Sequence, residues 1–296
     1  MFGQEYVGPN FKVKNNNEFH FKCNSLMSQV VKSDESIHAP CKITSDYNKL
    51  FTMGGLISGE LQCASLESGD VQNGVNKTWV WTAKEIDEMK GTGVDSCGTY
   101  GNSACAETCK RHIATIKNKV GIVWGSQSPW AESGLIFYGA KHITTIEYMK
   151  IESKHPKLST IHPVEAAKKF LAKKFELVDF IFTYSSLEHD GLGRYGDPLN
   201  PYADLESIAR AHCMLKPNGI LFLGFPVGPD HLAGSDHRIY GKYRMSLILP
   251  MWEPIDLINN YLNLSDTKSF EGNWENQPIW VLRKKSAGHY GSGDRV

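Results

Sequence analysis

The fold is decided by residues 120 to 148, which read VGIVWGSQSPWAESGLIFYGAKHITTIEY. A short β-branched run, Val120 to Trp124, is followed by a Gly-Ser turn and a helical segment from Ser128 to Tyr138. Pro129 suits the first position of that helix, because its missing N–H group would have no partner there. A second β-rich run, His142 to Tyr148, follows. This order of strand, helix and strand predicts an α/β sheet.

The chain continues in the same alternation after residue 148. Strands are predicted where apolar and β-branched residues run together, and helices where a periodic segment follows a proline or a turn. The predicted elements are a strand at Leu158–His162, a helix at Val164–Lys174 opened by Pro163, a strand at Leu177–Tyr184, a helix at Pro201–Leu215, a tight turn at Pro217–Gly219, and strands at Ile220–Phe225 and Ile279–Leu282. We therefore predict a doubly wound, mostly parallel α/β sheet.

Composition places the chain among ordinary globular proteins. Its 296 residues are 41% hydrophobic and 22% charged, which excludes the low-complexity and disordered classes. Lys and Arg together number 32, as do Asp and Glu, so no net charge attracts nucleic acid over a distance. The longest apolar stretch, Leu247 to Trp252, is far shorter than the roughly 20 residues of a spanning helix. We expect no nucleic acid partner and no membrane span, whereas the oligomeric state is left open.

A change of composition near residue 115 predicts three regions. Residues 1 to 114 are rich in Asn, Ser, Gly and Cys and are expected to form an irregular, Cys-rich cap or accessory region. Residues 115 to 285 carry the predicted sheet. Residues 286 to 296 are expected to be a flexible tail.

The cysteines bear on the compartment. Six of the seven lie in the first 110 residues, namely Cys23, Cys41, Cys63, Cys97, Cys105 and Cys109, and only Cys213 follows. An even, clustered set can form disulfides, although free thiols stay open and a zinc site of Cys97, Cys105, Cys109 and His112 fits no common template. Sequons at Asn76 and Asn263 are compatible with a secretory lumen. The first residues show no secretory signal, so the sequence as it stands predicts a cytoplasmic protein, with the secretory lumen as the alternative.

The first candidate site lies in the loops after the first two strands. Gly125 and Ser126 form a turn small enough for the close approach of a nucleotide or adenosyl cofactor. Glu147 ends the second strand, where such sheets place an acid that accepts hydrogen bonds from ribose hydroxyls. Ser185, the first residue after the strand at Leu177–Tyr184, is assigned to the same site. An ordinary turn and an ordinary exposed acid are the alternatives.

The most distinctive stretch, SSLEHDGLGRYGDP, follows at residues 185 to 198. A segment so polar and so rich in glycine gains little from packing, and its place at the carboxyl edge of the sheet makes it the leading catalytic candidate. We predict His189 as the general base because its ordinary pKa lies near neutrality, with Glu188 or Asp190 orienting it. Further residues of this stretch, Arg194, Tyr195 and Asp197, are predicted to bind substrate. The alternative is a structural loop in which Arg194 pairs with Asp197.

A third loop follows the strand at Ile220–Phe225. It carries the remaining predicted site residues, which are His231, His237, Arg238 and Tyr240. If the two preceding strands are neighbours, His231 and His237 converge with His189 on one cleft, with His237 as a reserve base. Arg238 is expected to hold an anionic substrate group. A metal site at these histidines is the minor alternative, and no metal is predicted.

Three stretches carry a resemblance to a known family: YSSLEHDGLGRYGDPLNPYADLE at 184–206, LKPNGILFLGFPVG at 215–228 and DHRIYG at 236–241. Together they resemble the nematode and bacterial family called domain of unknown function 268, over roughly residues 117 to 285. That family is similar to the class I S-adenosylmethionine-dependent methyltransferases. The resemblance implies a Rossmann-like methyltransferase fold, in which the turn after strand one and the acid ending strand two hold the cofactor. Those positions match Gly125, Ser126 and Glu147.

The resemblance implies an S-adenosylmethionine-dependent methyltransferase, with a sugar or another small hydroxyl compound as the acceptor. A role in glycan modification follows from the surface-polysaccharide setting of bacterial members. The glycine-rich motif is reduced here to Trp124-Gly125-Ser126, so a catalytically inactive binding or scaffold protein is the second hypothesis. A nicotinamide-dependent oxidoreductase is the third, since Glu147 suits either ribose.

Overall fold

The computed structural model describes residues 6–7, 11–13, 19–33, 43–62, 78–92, 104–195, 197–258 and 276–285. Seven strands form its largest sheet and are labelled in chain order as β1 Val120–Trp124, β2 His142–Ile146, β3 Leu158–Ile161, β4 Val178–Tyr184, β5 Leu215–Gly224, β6 Trp252–Ile258 and β7 Ile279–Lys284. Across the sheet they lie in the order β3-β2-β1-β4-β5-β7-β6.

The sheet is mostly parallel. Strands β1 to β5 pair with one another in parallel, and β7 runs antiparallel to both β5 and β6. The chain order reverses between β1 and β4, which places a crevice for ligands outside the carboxyl ends of these two strands. The prediction of a doubly wound, mostly parallel α/β sheet is confirmed.

Helices and short strands surround the sheet. The α-helices are α1 Cys23–Ser33, α2 Ser45–Phe51, α3 Ala83–Thr92, α4 Ala104–Arg111, α5 Ile113–Ile116, α6 Trp130–Phe137, α7 Pro163–Leu171, α8 Ala203–Met214 and α9 Lys242–Ile248. Short 3₁₀ helices lie at Met53–Gly55, Leu187–His189 and Leu249–Met251. The short strands are Tyr6–Val7, Phe11–Val13, Phe19–Phe21, Ser58–Glu60, Trp79–Trp81, Ile151–Ser153, His231–Ala233 and His237–Ile239.

Two local predictions need correction. Pro129 is the N-cap residue of α6 and not its first helical residue, because the helix begins at Trp130. The turn expected at Pro217–Gly219 lies inside β5, where Asn218 has a φ of 61°. The register of β5 against β4 shifts at this point, from Leu215 beside Val178 to Ile220 beside Phe180. The turn residues therefore form an irregularity within a longer strand.

Both faces of the sheet are covered by helices with a buried apolar layer. One layer joins α1, α7 and α8 through residues such as Leu26, Phe170 and Leu205. The other joins α3, α4 and α6 through residues such as Ile86 and Leu135. Helices from the predicted accessory region thus contribute to both layers, while the division near residue 115 stays a prediction.

The disulfide that the structure shows joins Cys23 to Cys213. Since α1 packs against α8, the first residue of one helix meets the last turn of the other across 190 residues of sequence. A disulfide set within the six early cysteines is therefore wrong for Cys23. Cys105 and Cys109 are free and buried. Cys41, Cys63, Cys97, both sequons and the tail from residue 286 lie outside the described residues.

No helix among the described residues is both long enough and apolar enough to cross a membrane.

Candidate functional site

Glu147 lies at the carboxyl end of β2 and joins two loops. Its Oε2 accepts a hydrogen bond from the backbone N–H of Ser126 at 2.9 Å, in the turn after β1. Its Oε1 accepts from the backbone N–H groups of Tyr148 at 2.7 Å and Met149 at 3.2 Å. Burial raises the pKa of Glu147, and the three backbone donors oppose that shift. The structure brings Glu147 and Ser126 together, in the positions predicted for cofactor binding.

Position 125 requires a glycine because the loop after β4 packs directly against it. It has a φ of 75°, and a Cβ atom placed on it would lie 1.8 Å from Oγ of Ser186. Ser185, the adjacent residue, also has a positive φ of 49° and receives a hydrogen bond from Gln277 Nε2 at 3.3 Å. The turn after β1 and the loop after β4 are therefore in direct contact at the edge of the sheet.

Glu132 lies at the same edge of the sheet and was not predicted as a site residue from the sequence. It is fully buried on α6, accepts a hydrogen bond from Thr145 Oγ1 at 2.7 Å and lies 3.2 Å from Ser126 Oγ. Burial raises its pKa to about 7, against these hydrogen bonds. An acidic residue in the first turn of a helix is ordinary, so the sequence held no signal that this one is buried under the turn.

The loop after β4 buries two ionisable groups side by side. Glu188 has no exposed surface, and its Oε1 lies 3.6 Å from Nε2 of His189. Burial raises the pKa of Glu188 to about 8 and lowers the pKa of His189 to about 3. Nδ1 of His189 donates to the carbonyl oxygen of Asp236, which can only accept. Nε2 of the neutral ring therefore carries the lone pair.

Several predicted residues surround His189. Its ring meets the rings of Tyr195 at 5.5 Å and His237 at 6.4 Å, both edge to face. Arg194 pairs with Asp236 through Nη1 and Oδ1 at 3.4 Å, so the alternative ion pair with Asp197 is wrong. This cluster, made of His189, Arg194, Tyr195, Asp236 and His237, joins the loop after β4 to the start of the short strand at His237–Ile239.

Asp197 stabilises the loop after β4 through hydrogen bonds to the loop backbone. Its carboxylate accepts hydrogen bonds from the backbone N–H groups of Gly191, Gly193 and Tyr195 at 2.6, 3.3 and 3.2 Å. Burial raises its pKa, while these backbone donors lower it. Its predicted contact with substrate stays a prediction, and the geometry assigns it a positioning role.

His231 lies on the strand next to His237. Strand His231–Ala233 pairs antiparallel with His237–Ile239 and parallel with Ser58–Glu60. Ser58 Oγ lies 2.8 Å from Nδ1 of His231. Burial lowers the pKa of His237, and the charge of Asp236 opposes this shift. Of the three histidines predicted to converge, His189 and His237 are in contact, and His231 lies on the strand that pairs with the strand of His237.

Arg238 and Tyr240 point into the protein. Arg238 is 1% exposed, and its Nη1 donates to the carbonyl oxygens of Glu188 at 3.2 Å and Asp190 at 2.6 Å. Tyr240 is fully buried and donates to Asp204 at 2.8 Å. The expectation that these side chains face an acceptor is corrected to a positioning role, because Arg238 binds the backbone of the loop after β4 and Tyr240 binds Asp204 on α8.

A polar chain of three side chains begins at Asp190. Its Oδ2 accepts from Ser207 Oγ, which in turn accepts from Arg210 Nη2 at 2.6 Å. Ser207 and Arg210 lie one turn apart on α8 and are buried. Burial raises the pKa of Asp190 to about 7. Ser207 and Arg210 were not predicted from the sequence, although their three-residue spacing puts both on one face of the helix.

No three His, Cys, Asp or Glu side chains within the described ranges are grouped as metal ligands would be.

The comparison with protein families yields one match. The family described as Caenorhabditis protein of unknown function, DUF268, matches residues 118–275, just over half of the chain. The chain belongs to this family. All of the site residues predicted from the sequence lie within the DUF268 match, whereas Ser58 and α1 lie outside it.

Solved structures similar to this DUF268 protein have low identity to it. N-methyltransferase NodS from Bradyrhizobium japonicum, solved with S-adenosyl-L-homocysteine, is 11% identical over 68% of this chain and 99% of its own, with a TM-score of 0.38. A Pyrococcus horikoshii protein described as an RNA methyltransferase is 13% identical over 69% and 98%, with a TM-score of 0.38. A Listeria monocytogenes protein described as an S-adenosylmethionine-dependent methyltransferase is 10% identical over 62% and 99%, with a TM-score of 0.40. No curated protein matches the chain.

Proposed function

We propose that the protein is an S-adenosylmethionine-dependent methyltransferase that acts on a hydroxyl of a sugar or another small acceptor. The observation that carries the proposal is the hydrogen bond between Glu147 and the backbone of Ser126. It joins the acid at the end of β2 to the turn after β1, at the edge where doubly wound sheets bind nucleotide ligands. These are the positions that the family resemblance assigns to the cofactor.

The residues at this edge fit an adenosyl group. A carboxylate offers about four lone-pair sites, and the protein backbone uses three of those on Glu147, so one remains for a ribose hydroxyl. Gly125, Ser126 and Ser185 would lie against the cofactor through their backbone. When bound, the cofactor would supply a methyl group on a sulfonium centre.

On the acceptor side, the protein must orient a hydroxyl and take its proton. His189 is the base predicted from the sequence, and Arg194, Tyr195 and His237 surround it. With its pKa lowered to about 3, His189 stays neutral at ordinary pH and is a weak base. The cluster is therefore better suited to hydrogen bonding with an acceptor than to holding its proton.

The disulfide supports the secretory lumen over the cytoplasm. Disulfides persist in oxidising compartments and are rare in the cytosol. The bond between Cys23 and Cys213 joins two helices of the same buried layer. A luminal location is also consistent with a role in glycan modification.

The second candidate function is a binding or scaffold protein that has lost the cofactor. The observation in its favour is that Ser186 occupies the space beside Gly125, which limits how closely a ligand approaches that side of the turn. Cofactor affinity separates the two functions directly.

Calorimetric titration with S-adenosylhomocysteine and S-adenosylmethionine tests the proposal. We expect micromolar binding of both, weakened by Glu147→Ala by about 1–3 kcal/mol, because a hydrogen bond to a ribose hydroxyl is lost. Glu152→Ala is the matched control, since Glu152 is an exposed acid on the adjacent short strand. Absence of heat at millimolar ligand, from protein shown to be folded, would favour the scaffold function. Binding of a nicotinamide dinucleotide alone would favour the oxidoreductase.

A further inference from the structure

Lysines line the edge of the large sheet at which its parallel strands begin. The segments at this edge are residues 117–119, 139–141, 156–157, 172–179, 215–217 and 284–285. Together they carry nine lysines, which are Lys117, Lys119, Lys141, Lys157, Lys173, Lys174, Lys216, Lys284 and Lys285. All but Lys284 are exposed, and the acidic residues of the same segments are Glu176 and Asp179. This surface, called the lysine edge below, is therefore strongly positive, although the whole chain has no net charge.

Backbone hydrogen bonds place three of these segments side by side. The N–H group of Ile143 on β2 donates to the carbonyl oxygen of Lys157, before β3, at 2.9 Å. The N–H group of Lys141, before β2, donates to the carbonyl oxygen of Lys119, before β1, at 2.8 Å. The lysines that precede β1, β2 and β3 thus form one continuous row.

Asp179 continues the row to β4 and β5. Its Oδ2 accepts a hydrogen bond from the N–H group of Val120, the first residue of β1, at 3.0 Å. Its Oδ1 pairs with Nζ of Lys216 on β5 at 2.8 Å. The row therefore follows six neighbouring strands, in the order β3-β2-β1-β4-β5-β7, and spans roughly 24 Å at about 4.8 Å per strand.

Exposed apolar side chains lie beside the lysine edge. They belong to the first residue of α5 and to the last residues of α6 and α7, and they are 37%, 53% and 37% exposed: Ile113, Phe137 and Leu171. The carbonyl oxygen of Ile113 accepts from the N–H group of Lys117 at 2.8 Å. Just beyond Phe137, the carbonyl oxygen of Gly139 accepts from the N–H group of Asn118 at 2.8 Å. The charged and apolar groups therefore occupy one surface.

The residue types distinguish between anionic partners. Nucleic-acid sites favour arginine, whose planar group binds phosphate through two hydrogen bonds, and aromatic rings that stack on bases. The lysine edge offers point charges instead, and two of its three exposed apolar side chains are aliphatic. An anionic bilayer presents charged head groups above an apolar interior, so it can receive both kinds of side chain.

We propose that the lysine edge binds the surface of an anionic lipid bilayer, with Phe137 entering the head-group region. The inference is independent of the methyltransferase function. With this edge on the bilayer, the candidate site at the carboxyl ends of the strands lies roughly 16–23 Å away, because β1 has five residues, β4 has seven and each residue rises about 3.3 Å. The candidate site would therefore face the aqueous phase.

Sedimentation of the full chain with lipid vesicles tests the proposal. The probe is a vesicle of phosphatidylcholine with about one third phosphatidylserine, and a vesicle of phosphatidylcholine alone is the comparison. We expect binding to the anionic vesicle only at about 0.1 M salt and its loss at about 1 M salt, where charges are screened within about 3 Å. Equal binding to both vesicles, or binding that salt does not weaken, would overturn the proposal.

Neutralising two neighbouring lysines locates the surface. We expect Lys119→Gln combined with Lys141→Gln to weaken binding to the anionic vesicle about twentyfold, because each lysine near such a surface contributes about fivefold. Lys150→Gln combined with Lys242→Gln is the matched control, since both lysines are exposed and follow the carboxyl ends of β2 and β5. This control should change binding less than twofold. Equal weakening by the two pairs would show that the lysine edge has no special role and would overturn the proposal.

An exposed apolar residue separates a bilayer from other polyanions. We expect Phe137→Ser to weaken binding to the anionic vesicle about tenfold, because part of the ring leaves water on binding. Leu56→Ser is the control, since Leu56 is 49% exposed and precedes the short strand Ser58–Glu60, away from the lysine edge. Duplex DNA bound more tightly than the anionic vesicle at the same salt, with no change in Phe137→Ser, would replace the lipid by a nucleic acid and overturn the proposal.

Discussion

At the scale of single residues, burial sets the ionisation of the loop after β4. Glu188 and His189 are adjacent and both lie out of water, and the loss of hydration favours the neutral form of each. The pKa of the acid is therefore raised to about 8, while that of the imidazole is lowered to about 3. At neutral pH the pair is mainly uncharged, so it suits a loop packed against buried Arg238 and Tyr240.

Glu188 should make folding stability depend on pH. The unfolded chain releases this proton near the ordinary value of 4.5, whereas the folded chain holds it up to about 8. The free energy of unfolding therefore falls as the pH rises between these values. Glu188→Gln removes the cost of ionising this buried carboxyl group. We therefore expect the free energy of unfolding of the variant to exceed that of wild type by at least about 2 kcal/mol near pH 9, with the smallest difference near pH 4.

Urea denaturation at both pH values measures this difference. Glu165→Gln is the control, because Glu165 lies on the exposed side of α7 and pairs with Lys168 in solvent. An identical gap between Glu188→Gln and wild type at the two pH values would contradict the raised pKa.

At the scale of elements, the two loops at the edge of the sheet depend on one glycine. Gly125 lets Ser186 approach the turn after β1, and Glu147 fastens the other side of that turn. The turn is thus held between the ends of β2 and β4. Neither contact is local in sequence, because the partners come from separate strands of the sheet.

Gly125→Ala should disrupt this arrangement. Alanine is strained at a φ of 75°, and its Cβ would collide with the Ser186 side chain. We expect a loss of about 2–3 kcal/mol in the free energy of unfolding and weaker S-adenosylhomocysteine binding. Thermal denaturation and calorimetry measure the two effects.

Two further variants separate strain from collision. Ser186→Gly combined with Gly125→Ala should recover the part of the loss that comes from collision. Gly134→Ala is the matched control, because a Cβ there meets no atom within 4 Å and lies inside α6, where alanine is favoured by about 1 kcal/mol. Equal stability of Gly125→Ala and wild type would disprove the steric requirement.

At the scale of the whole molecule, the N-terminal helices are part of the sheet's packing. α1 contributes Leu26, Met27 and Val30 to the layer that it shares with α7 and α8. The disulfide fixes this helix to the end of α8. α1 also lines a small crevice through Met27 and Val30, and Asp190 lines the same crevice.

Loss of the disulfide should destabilise the protein. A bond that closes so long a loop restricts the unfolded chain, and its removal typically costs about 2–5 kcal/mol. We expect Cys23→Ser to lower the free energy of unfolding by that amount, measured by urea denaturation. Reductant should lower the free energy of unfolding of wild type to the value of the variant and leave the value of the variant unchanged. Wild type insensitive to full reduction of its disulfide would contradict this expectation.

Much of the fold was predictable because its signals are local. The runs at Val120–Trp124 and Leu177–Tyr184 are apolar and β-branched, and the observed β1 and β4 match them within one residue. Glu147 was found because its distance from Gly125 follows from one strand, helix and strand unit. Glu132, Ser207 and Arg210 were missed, because their residue types are ordinary for helices and only packing shows that they are buried.

By itself, the sequence determined the alternation of strands and helices, the family and the edge of the sheet at which polar loops collect. These follow from periodicity and from motifs within short stretches of chain. Only the tertiary structure decided that Cys23 pairs with Cys213, that Arg194 pairs with Asp236, and that Asp190 rather than His189 lines a crevice. Pairing and burial depend on which distant segments pack together, and burial then sets which groups are charged.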